Sequence, residues 1–519
     1  MKYLSKSQIR EILSQRDLER GIAGLADLPL PHRLKGVPEA AKLIATHMRR
    51  DSKILIVGDY DADGVNASAI MQGFFEALGY AHFEVVLPNR FSDGYGLSVN
   101  LLERLEAPRH YGLVITVDNG VSAFEAGEFC KAHNLALIIT DHHTPQDSLP
   151  TCDVLINPKQ EGCSFPFKDI CGAMVAWYLC AGIKQECGAR IDMSAFVPFV
   201  GLATLGDVMP LVGINRIVVK KALQILRASD APFAQVLRQK LGAISAQTLS
   251  FSLIPLLNCA GRVSDARVAF EFLTLKSLPQ ALQVYAQLQS LNNERKALQA
   301  QTLQKAQDCL TQSDAFVCAI GEWHIGVVGI VCARLAQTHQ KCAFVLSDGG
   351  DGVLKGSGRA YGGVNLIQSL QKAQGLKPLL LEFGGHQGAV GLQIHKDDLD
   401  EFMEILDKCV VREAQGESSA VLGYVRADDI DMELFALLEE FEPFGAHNPL
   451  PHFMCDDLRL LDSKPMGKNK EHLRLDFCAP SGRRLYGVEF FASGVCAQEW
   501  CFALAYDRYF QRLCLQIEG

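Results

Sequence analysis

The feature that most constrains the fold is a series of short β-branched apolar runs, each of which ends beside an acidic or histidine residue. Residues 53–57, 113–117 and 135–140 lack polar alternation, as expected of strands that are buried on both faces of a parallel sheet. Residues 65–79 and 122–134 lie between these runs and favour helices. This order predicts β-α-β units, whose polar side chains meet at the carboxyl edge of the sheet.

The residues that follow these runs form a candidate site for two divalent metals. Several carboxylates in one pocket repel each other, so a bound cation is the simplest explanation. Oxygen ligands suit Mg²⁺ and imidazoles shift the preference, so we expect Mn²⁺ to be preferred and Mg²⁺ to be accepted. Two such ions can promote displacement at phosphorus, which predicts phosphoester hydrolysis. The candidates are Asp59, Asp61, Asp63, Asp118, Asp141, His142, His143 and Asp207.

Each of these residues also has an ordinary structural interpretation. An aspartate after a strand is more often a cap or a turn residue, and a pair of histidines more often belongs to the surface or the core. Four such positions at the ends of successive elements favour the metal site over these alternatives.

Longer motifs occur along nearly the whole chain. They are Asp59-Tyr60-Asp61-Ala62-Asp63-Gly64, Thr116-Val117-Asp118-Asn119-Gly120, Thr140-Asp141-His142-His143 and Gly206-Asp207-Val208-Met209-Pro210-Leu211, with further motifs at 88–97, 257–262, 323–330, 357–359, 384–386 and 441–449. Together these motifs resemble the bacterial RecJ single-strand exonucleases of the DHH phosphoesterase superfamily.

The resemblance implies an α/β fold in several domains. We expect a parallel-sheet DHH domain and a second α/β DHHA1 domain joined by a long helix, with a C-terminal β-barrel of the OB-fold type. Leucine spacing between Pro279 and Asp308 by itself predicts that long amphipathic helix. The expected bounds are 1–48 for an N-terminal helical segment, 49–270 for the DHH catalytic domain, 271–310 for the interlobe helix, 311–412 for DHHA1 and 413–519 for the OB-fold nucleic-acid-binding domain.

The resemblance also assigns roles to the site residues. The implied metal ligands are Asp61, Asp63, Asp118, His142 and Asp207. Asp118 is placed to bridge the two ions, and His143 is an expected catalytic residue. Asp59 is either a further ligand, because Val57 stands where other DHH enzymes have a histidine, or an orienting residue. Asp141 either accepts a hydrogen bond from the ring of His142 or caps a turn.

Two further regions are candidates for contact with nucleic acid. Glycine beside arginine or histidine lets backbone approach a phosphate, although a turn without a ligand is the alternative. The resemblance implies that Arg262, Ser357 and Arg359 help to hold the strand and its 5′ phosphate, with Ala360 where the family often has a second serine. His386 is a further candidate anion contact, and Arg90 and Tyr95 are either contacts with phosphate and base in the same groove or structural residues. A basic hairpin, either an OB-fold platform or a solvated face, contains Lys464, Lys468, Lys470, Arg474, Arg483 and Arg484 against Glu471 and Asp476.

Composition limits the remaining possibilities. A chain of 519 residues exceeds one core, which predicts three or four domains. A net charge of -9 argues weakly against nucleic acid, although metal ligands account for several acids. The 17 cysteines have no metal-ligand spacing, which favours free thiols in a reducing cytoplasm. No apolar run approaches the roughly 18–20 residues of a membrane span, so we expect a soluble protein without membrane contact.

The predicted function is 5′→3′ exonuclease cleavage of single-stranded DNA to 5′-mononucleotides, without a protein nucleophile. Family resemblance implies a monomer, with a single-strand-binding protein and a RecQ-type helicase as partners. One alternative is a DHH phosphoesterase for short oligonucleotides, cyclic dinucleotides or pyrophosphate, against which the additional barrel and the long helix weigh. The other is a non-catalytic single-strand-binding scaffold on a decayed DHH core, against which the intact ligand positions weigh.

Overall fold

The structure is a computed structural model that describes residues 3–90, 92–413, 421–467, 470, 472–490, 499–507 and 510–518. Lys468 and Glu471 of the predicted basic hairpin lie outside the described residues. The chain forms two compact units. One consists of Met1–Val86, Gly96–Ile254 and Ser418–Gly519, and the other of Leu87–Tyr95 and Pro255–Glu417.

The first unit contains a parallel sheet with the strand order β2-β1-β3-β4-β5. Its strands are β1 (Ile54–Val57), β2 (Phe83–Val86), β3 (Leu113–Val117), β4 (Ala136–Thr140) and β5 (Val154–Ile156). The surrounding helices are α1 (Lys6–Ser14), α2 (Val37–Arg49), α3 (Ala62–Leu78), α4 (Val99–Arg104), α5 (Ala107–His110), α6 (Phe124–Ala132), α7 (Gly172–Glu186), α8 (Val197–Gly206), α9 (Gly213–Ala228), α10 (Pro232–Leu241) and α11 (Ala246–Thr248). Apolar side chains cover both faces of the sheet, which explains why these strands lack polar alternation.

The second unit contains α12 from Pro255 onward, the long helix and a mixed sheet with the order β10-β11-β9-β8-β7-β6. Its helices are α12 (Ile254–Val263), α13 (Arg267–Thr274), α14 (Leu278–Asp308), α15 (Ile325–His339), α16 (Leu366–Leu376) and α17 (Leu399–Lys408). Its strands are β6 (Thr311–Gln312), β7 (Phe316–Gly321), β8 (Cys342–Asp348), β9 (Val353–Arg359), β10 (Leu380–His386) and β11 (Ala389–His395). The predicted long helix is confirmed as α14, which has 31 residues.

The C-terminal part of the first unit is a sheet with the order β12-β13-β17-β18-β16-β15-β14. The elements are β12 (Val421–Tyr424), α18 (Met432–Glu439), β13 (His452–Cys455), β14 (Arg459–Met466), β15 (His472–Cys478), β16 (Arg484–Glu489), β17 (Trp500–Asp507) and β18 (Arg512–Glu518). Helix α1 packs Ile9 and Leu13 into the core of this sheet, whereas α2 packs against the parallel sheet. The helices predicted as one N-terminal segment therefore divide between two cores.

Among the helices of the described ranges, none is by itself long and apolar enough to cross a membrane. Helices Pro232–Leu241 and Ala246–Val263 meet that test only together, as a bent pair.

Candidate metal centre and phosphate contacts

Polar side chains from separate elements converge at the carboxyl edge of the parallel sheet. Asp118 directly follows β3, and Asp59 and His142 lie two residues beyond the ends of β1 and β4. Because β1 pairs with β3 and β3 with β4 in parallel register, the ends of these strands are adjacent. Asp207 reaches the same place from the C-terminal end of α8.

The start of α3 fixes the Asp-x-Asp pair. Asp61 caps the helix, and its Oδ1 accepts the backbone N–H groups of Asp63 at 2.9 Å and Gly64 at 3.1 Å. Gly64 is inside the helix, where a Cβ atom would lie 2.5 Å from the backbone nitrogen of Asp59. The glycine therefore permits close packing of α3 against the loop that carries Asp59.

The first turn of α7 supports two of the carboxylates. The side chain of Asp63 accepts the N–H groups of Gly172 at 2.6 Å and Ala173 at 2.7 Å, as expected for an anion at a helix N-terminus. Gly172 also allows Asp118 to approach, because a Cβ atom there would lie 2.3 Å from Oδ1 of Asp118. Asp118 itself has a φ of 63°, a left-handed conformation that aspartate tolerates better than most residues.

Asn119 is a positioning residue that the sequence did not indicate. Its buried side chain donates hydrogen bonds to the carbonyls of Val57 at 3.0 Å and Val117 at 2.9 Å, and accepts the N–H of Leu97 at 3.1 Å. It thereby ties β1 to β3 directly beside Asp118. The available signal was only its place after a candidate ligand, where an asparagine is also an ordinary turn residue.

The imidazole of His142 faces three carboxylates. Its Nε2 lies 3.2 Å from Oδ1 of Asp118, 3.6 Å from Oδ2 of Asp207 and 3.7 Å from Oδ2 of Asp63. Burial is the main cause that lowers the pKa of His142 to about 3, so the ring is neutral at pH 7. A neutral ring offers an unprotonated nitrogen as a ligand. Oδ1 of Asp118 is buried without a hydrogen-bond partner, and a divalent cation between these atoms would satisfy both.

The carboxylates resist ionisation without a cation. Burial, followed by the charges of neighbouring aspartates, raises the pKa values of Asp59, Asp63 and Asp118 well above the ordinary range. Burial and then the charge of Asp61 raise the pKa of Asp207 to about 6. The cluster is therefore electrostatically unfavourable when all of its members are charged, which is the condition that a bound metal relieves.

Candidate ligand atoms form three groups, within each of which the atoms lie within 4.8 Å of one another. The groups are Asp59 with Asp61 and Asp118, Asp63 with His142 and Asp207, and Asp118 with His142 and His143. The structure thus brings together all the candidate ligands that the sequence indicated, and Asp118 is shared by two groups.

Asp141 holds His143 and not the ring of His142. Its Oδ1 accepts from Nδ1 of His143 at 2.7 Å and from the backbone N–H groups of His142 and His143, and its Oδ2 accepts from Val121. The expected bond to the ring of His142 is therefore wrong, and the turn-capping alternative is the one observed. Burial alone would lower the pKa of His143, but the hydrogen bond and charge of Asp141 outweigh it and raise that pKa to about 9.

The second unit holds a separate group of predicted contacts around the start of α15. A Cβ atom on Gly329 would lie 2.8 Å from Nη2 of Arg359 and 3.4 Å from Oγ of Ser357. A Cβ atom on Gly326 would lie 1.9 Å from the carbonyl oxygen of Arg262. The two glycines therefore let the first turns of α15 approach the backbone of Arg262 and the side chains of Ser357 and Arg359, which places the guanidinium of Arg359 beside the N-terminal part of a helix, an arrangement suited to anions.

Of the other predicted contacts of the second unit, His386 lies at the same end of its sheet as Arg359, and Arg90 and Tyr95 lie in the segment Leu87–Tyr95. Burial lowers the pKa of Arg359, and the charge of Arg90 lowers it further, so these two cations are close together. His386 pairs with Ala389 on β11, which in turn pairs with Arg359 on β9. Tyr95 is 52% exposed.

Two basic side chains of the predicted hairpin already bind other groups of the protein. Arg483 donates to the carbonyls of Ala427 at 2.8 Å and Asp428 at 3.1 Å, and Arg474 pairs with Asp476 at 3.2 Å. Counting charges along the sequence therefore overstated the positive potential available to a ligand at this hairpin.

Comparisons with known proteins agree with this architecture. The DHH family N-terminal domain matches residues 53–199, the DHHA1 domain residues 312–412 and the RecJ OB domain residues 423–507. The single-stranded-DNA-specific exonuclease RecJ of Dickeya dadantii is 31% identical over 501 residues, which cover 90% of this chain and 84% of that protein. The DHH, DHHA1 and OB-fold parts of the predicted fold class are thereby confirmed.

Two solved structures show the same fold. The crystal structure of RecJ in complex with Mn²⁺ from Thermus thermophilus superposes with a TM-score of 0.78, is 24% identical, and covers 100% of this chain and 78% of its own. A crystal structure of exonuclease RecJ bound to manganese has a TM-score of 0.61 and is 28% identical, with coverage of 72% of this chain and 94% of its own. The chain therefore belongs to the RecJ family of DHH proteins.

Proposed function

We propose that the protein is an exonuclease that degrades single-stranded DNA in the 5′→3′ direction to 5′-mononucleotides, in DNA repair and recombination. The observation that carries the proposal is the buried cluster in which a neutral His142 faces Asp63, Asp118 and Asp207. A relative whose alignment covers 90% of this chain at 31% identity is named as a single-stranded-DNA-specific exonuclease, which supports the choice of substrate.

The proposed ligands of two divalent cations are Asp61, Asp63, Asp118, His142 and Asp207, with Asp59 as a further carboxylate. We propose that Mn²⁺ is preferred and Mg²⁺ accepted, since a mixed imidazole and carboxylate set suits Mn²⁺ better than Mg²⁺. Structures of RecJ proteins with manganese and with Mg²⁺ support both cations as ligands. Asp118 and His142 each belong to two of the three ligand groups, and Asp118 is the proposed bridge because a carboxylate has two oxygens that can bind cations.

The protein supplies positioning and charge, and no side chain is needed as a nucleophile. When bound, the cations lower the pKa of a water molecule and neutralise charge on the phosphoryl oxygens. Asn119 and the first turn of α7 hold the carboxylates in place. His143 is protonated at neutral pH and held by Asp141, so it can donate a hydrogen bond to a phosphate oxygen.

We propose that the second unit binds the strand and its 5′ phosphate through Arg90, Tyr95, Arg262, Ser357, Arg359 and His386. The C-terminal domain would add backbone contacts through residues such as Lys464, Lys470 and Arg484. The proposed domain bounds are 1–48, 49–270, 271–310, 311–412 and 413–519. The expected setting is a monomer in the cytoplasm that works with a single-strand-binding protein and a RecQ-type helicase. All 16 cysteines in the described part of the chain are free thiols, which supports a reducing compartment.

The test is Mn²⁺-dependent digestion of a single strand that carries a fluorophore at its 3′ end. Progressive shortening that is lost when the 5′ end is blocked or a complementary strand is added would support the proposal. Hydrolysis of dinucleotides alone would instead favour the small-substrate phosphoesterase. Binding without cleavage, equal in the wild type and in Asp118→Asn, would favour the non-catalytic scaffold.

A further inference from the structure

The first unit contains a cavity of about 1550 Å³ between helices of the parallel-sheet part and the C-terminal domain. Its wall includes residues 204–206 and 208–209, which flank the proposed ligand Asp207. The cavity is larger than the roughly 300–1,000 Å³ of a typical small-molecule site. The wall therefore adjoins the segment that carries Asp207, and the size of the cavity suits a chain-like ligand.

Two large apolar side chains are displayed in this cavity instead of being buried. Phe251 is 77% exposed and Val208 is 69% exposed, and both line the wall. Single exposed apolar residues are ordinary on protein surfaces. These two share their cavity with Phe435, Phe444 and Tyr506, so the wall is a concave surface rich in aromatic groups.

Unusual backbone presents both of these side chains. Val208 has a φ of 52°, in the left-handed region that β-branched residues avoid. Hydrogen bonds from Met209 to Thr204 and from Leu211 to Ala446 hold the chain on the C-terminal side of Val208. Phe251 lies at the centre of the π-helical turn Leu249–Leu253. Such turns and strained residues cluster at functional sites, where the function offsets the energetic cost of the unusual backbone.

The charged groups of the wall do not suit a phosphate backbone. Arg227 donates from Nε and Nη2 to the carbonyl of Ile244, and Arg238 donates from Nη1 to the carbonyl of Leu226, so both guanidinium groups are partly used in holding the main chain. Glu439 and Glu442 add negative charge to the same wall. An aromatic and apolar surface of this composition matches the faces of nucleobases better than it matches phosphates.

We infer that this cavity binds unpaired bases of the single strand, with Phe251 stacked on one base and Val208 packed beside it, while the phosphates remain toward solvent. The inference rests on the proposed function and deepens it, because it names the base and not the backbone as the group recognised here. Bases in a duplex are stacked on both sides and would have to be unstacked first, so the cavity would also favour single strands.

The test measures affinity for a fluorescent single strand in the presence of a chelator, which prevents cleavage. Phe251→Ala should weaken binding about tenfold, within the range for loss of one stacked base, and Phe251→Trp should restore it. The slope of affinity against salt concentration should stay unchanged, since no phosphate contact is removed. Leu376→Ala, which removes another exposed side chain (70% exposed), is the matched control and should bind as the wild type does.

A strand with abasic positions distinguishes base contacts from backbone contacts. Wild type and Phe251→Ala should bind the fully abasic strand equally, because the partner of the phenyl ring is already missing. Equal affinity of the two proteins for the normal strand would overturn the inference and leave the cavity to a peptide segment of a protein partner. Failure of the proposed function is distinguished by the Mn²⁺-dependent digestion, in which the wild type itself would then not cleave single strands.

Discussion

Oδ1 of Asp118 and Nε2 of His142 lie 3.2 Å apart in a buried site, and both are hydrogen-bond acceptors when Asp118 is ionised and the neutral imidazole carries its proton on Nδ1. Two acceptors at this separation repel each other unless a proton or a cation lies between them. Burial disfavours the protonated imidazole and raises the pKa of Asp118, so without a cation the carboxyl group favours its protonated form, and a bound cation would take the place of that proton. This contact therefore links metal binding to the stability of the site.

Asp118→Asn should abolish cleavage and raise the melting temperature of the metal-free protein. The change removes a buried charge, keeps the side-chain shape and suits the left-handed backbone. Mn²⁺ should raise the melting temperature of the wild type by mass action and have little effect on the variant. Asp147→Asn, at an exposed position, is the control for loss of one carboxylate. Cleavage by Asp118→Asn at the wild-type rate would refute the ligand assignment.

The metal-free protein should lose stability as the pH rises from about 7 to 9. The pKa of His143 is raised to about 9 from its ordinary value of 6.5, so the folded state binds the proton more tightly than the unfolded state. This contribution is complete below the unfolded pKa and is lost as the pH rises through the folded one. Thermal melts in chelator should show a shallower decline for His143→Gln than for the exposed control His110→Gln. Identical slopes would contradict the ion pair with Asp141.

Arg359→Gln should weaken binding of single strands that carry a 5′ phosphate more than binding of strands that lack it. Arg359 lies beside the glycine-lined start of α15, where anions are favoured. Loss of one phosphate contact should reduce the salt slope of affinity by about one. Binding titrations at several salt concentrations would measure both effects. If the variant kept the wild-type salt slope and still preferred strands with a 5′ phosphate as strongly as the wild type does, Arg359 would make no such contact.

Arg216→Met should destabilise the first unit by about 2–4 kcal/mol. The guanidinium is 2% exposed and donates to the carbonyls of Phe441 at 3.0 Å, Glu442 at 3.0 Å and Pro443 at 3.2 Å. Methionine fills similar space but removes all three of these hydrogen bonds, although Asn448 still donates to the carbonyls of Phe441 and Pro443. Denaturant unfolding should show this loss for Arg216→Met and almost none for Arg190→Met at an exposed position. Equal midpoints for the two variants would contradict the prediction.

The sequence by itself determined the parallel strands, the long helix and the positions of the candidate ligands. Strands at 54–57, 113–117 and 136–140 match the apolar runs closely, because burial on both faces of a sheet leaves a local pattern in the chain. Parallel strands place their carboxyl ends together, so a residue after each run was already expected near the others. The family could also be recognised from the sequence, because the residues of each motif are adjacent along the chain.

Only the tertiary structure decided which side chains meet across the sequence. The bond of Asp141 to His143, the ties of Asn119 to Val57 and Val117, and the use of Arg483 to bind carbonyls all depend on the direction of each side chain after packing. The exposure of Phe251 also depends on tertiary structure, because an apolar residue in a helical segment is expected in the core until its neighbours in space are known. Local patterns record which face of an element is buried, whereas partners are fixed by long-range packing, which no short stretch of sequence contains.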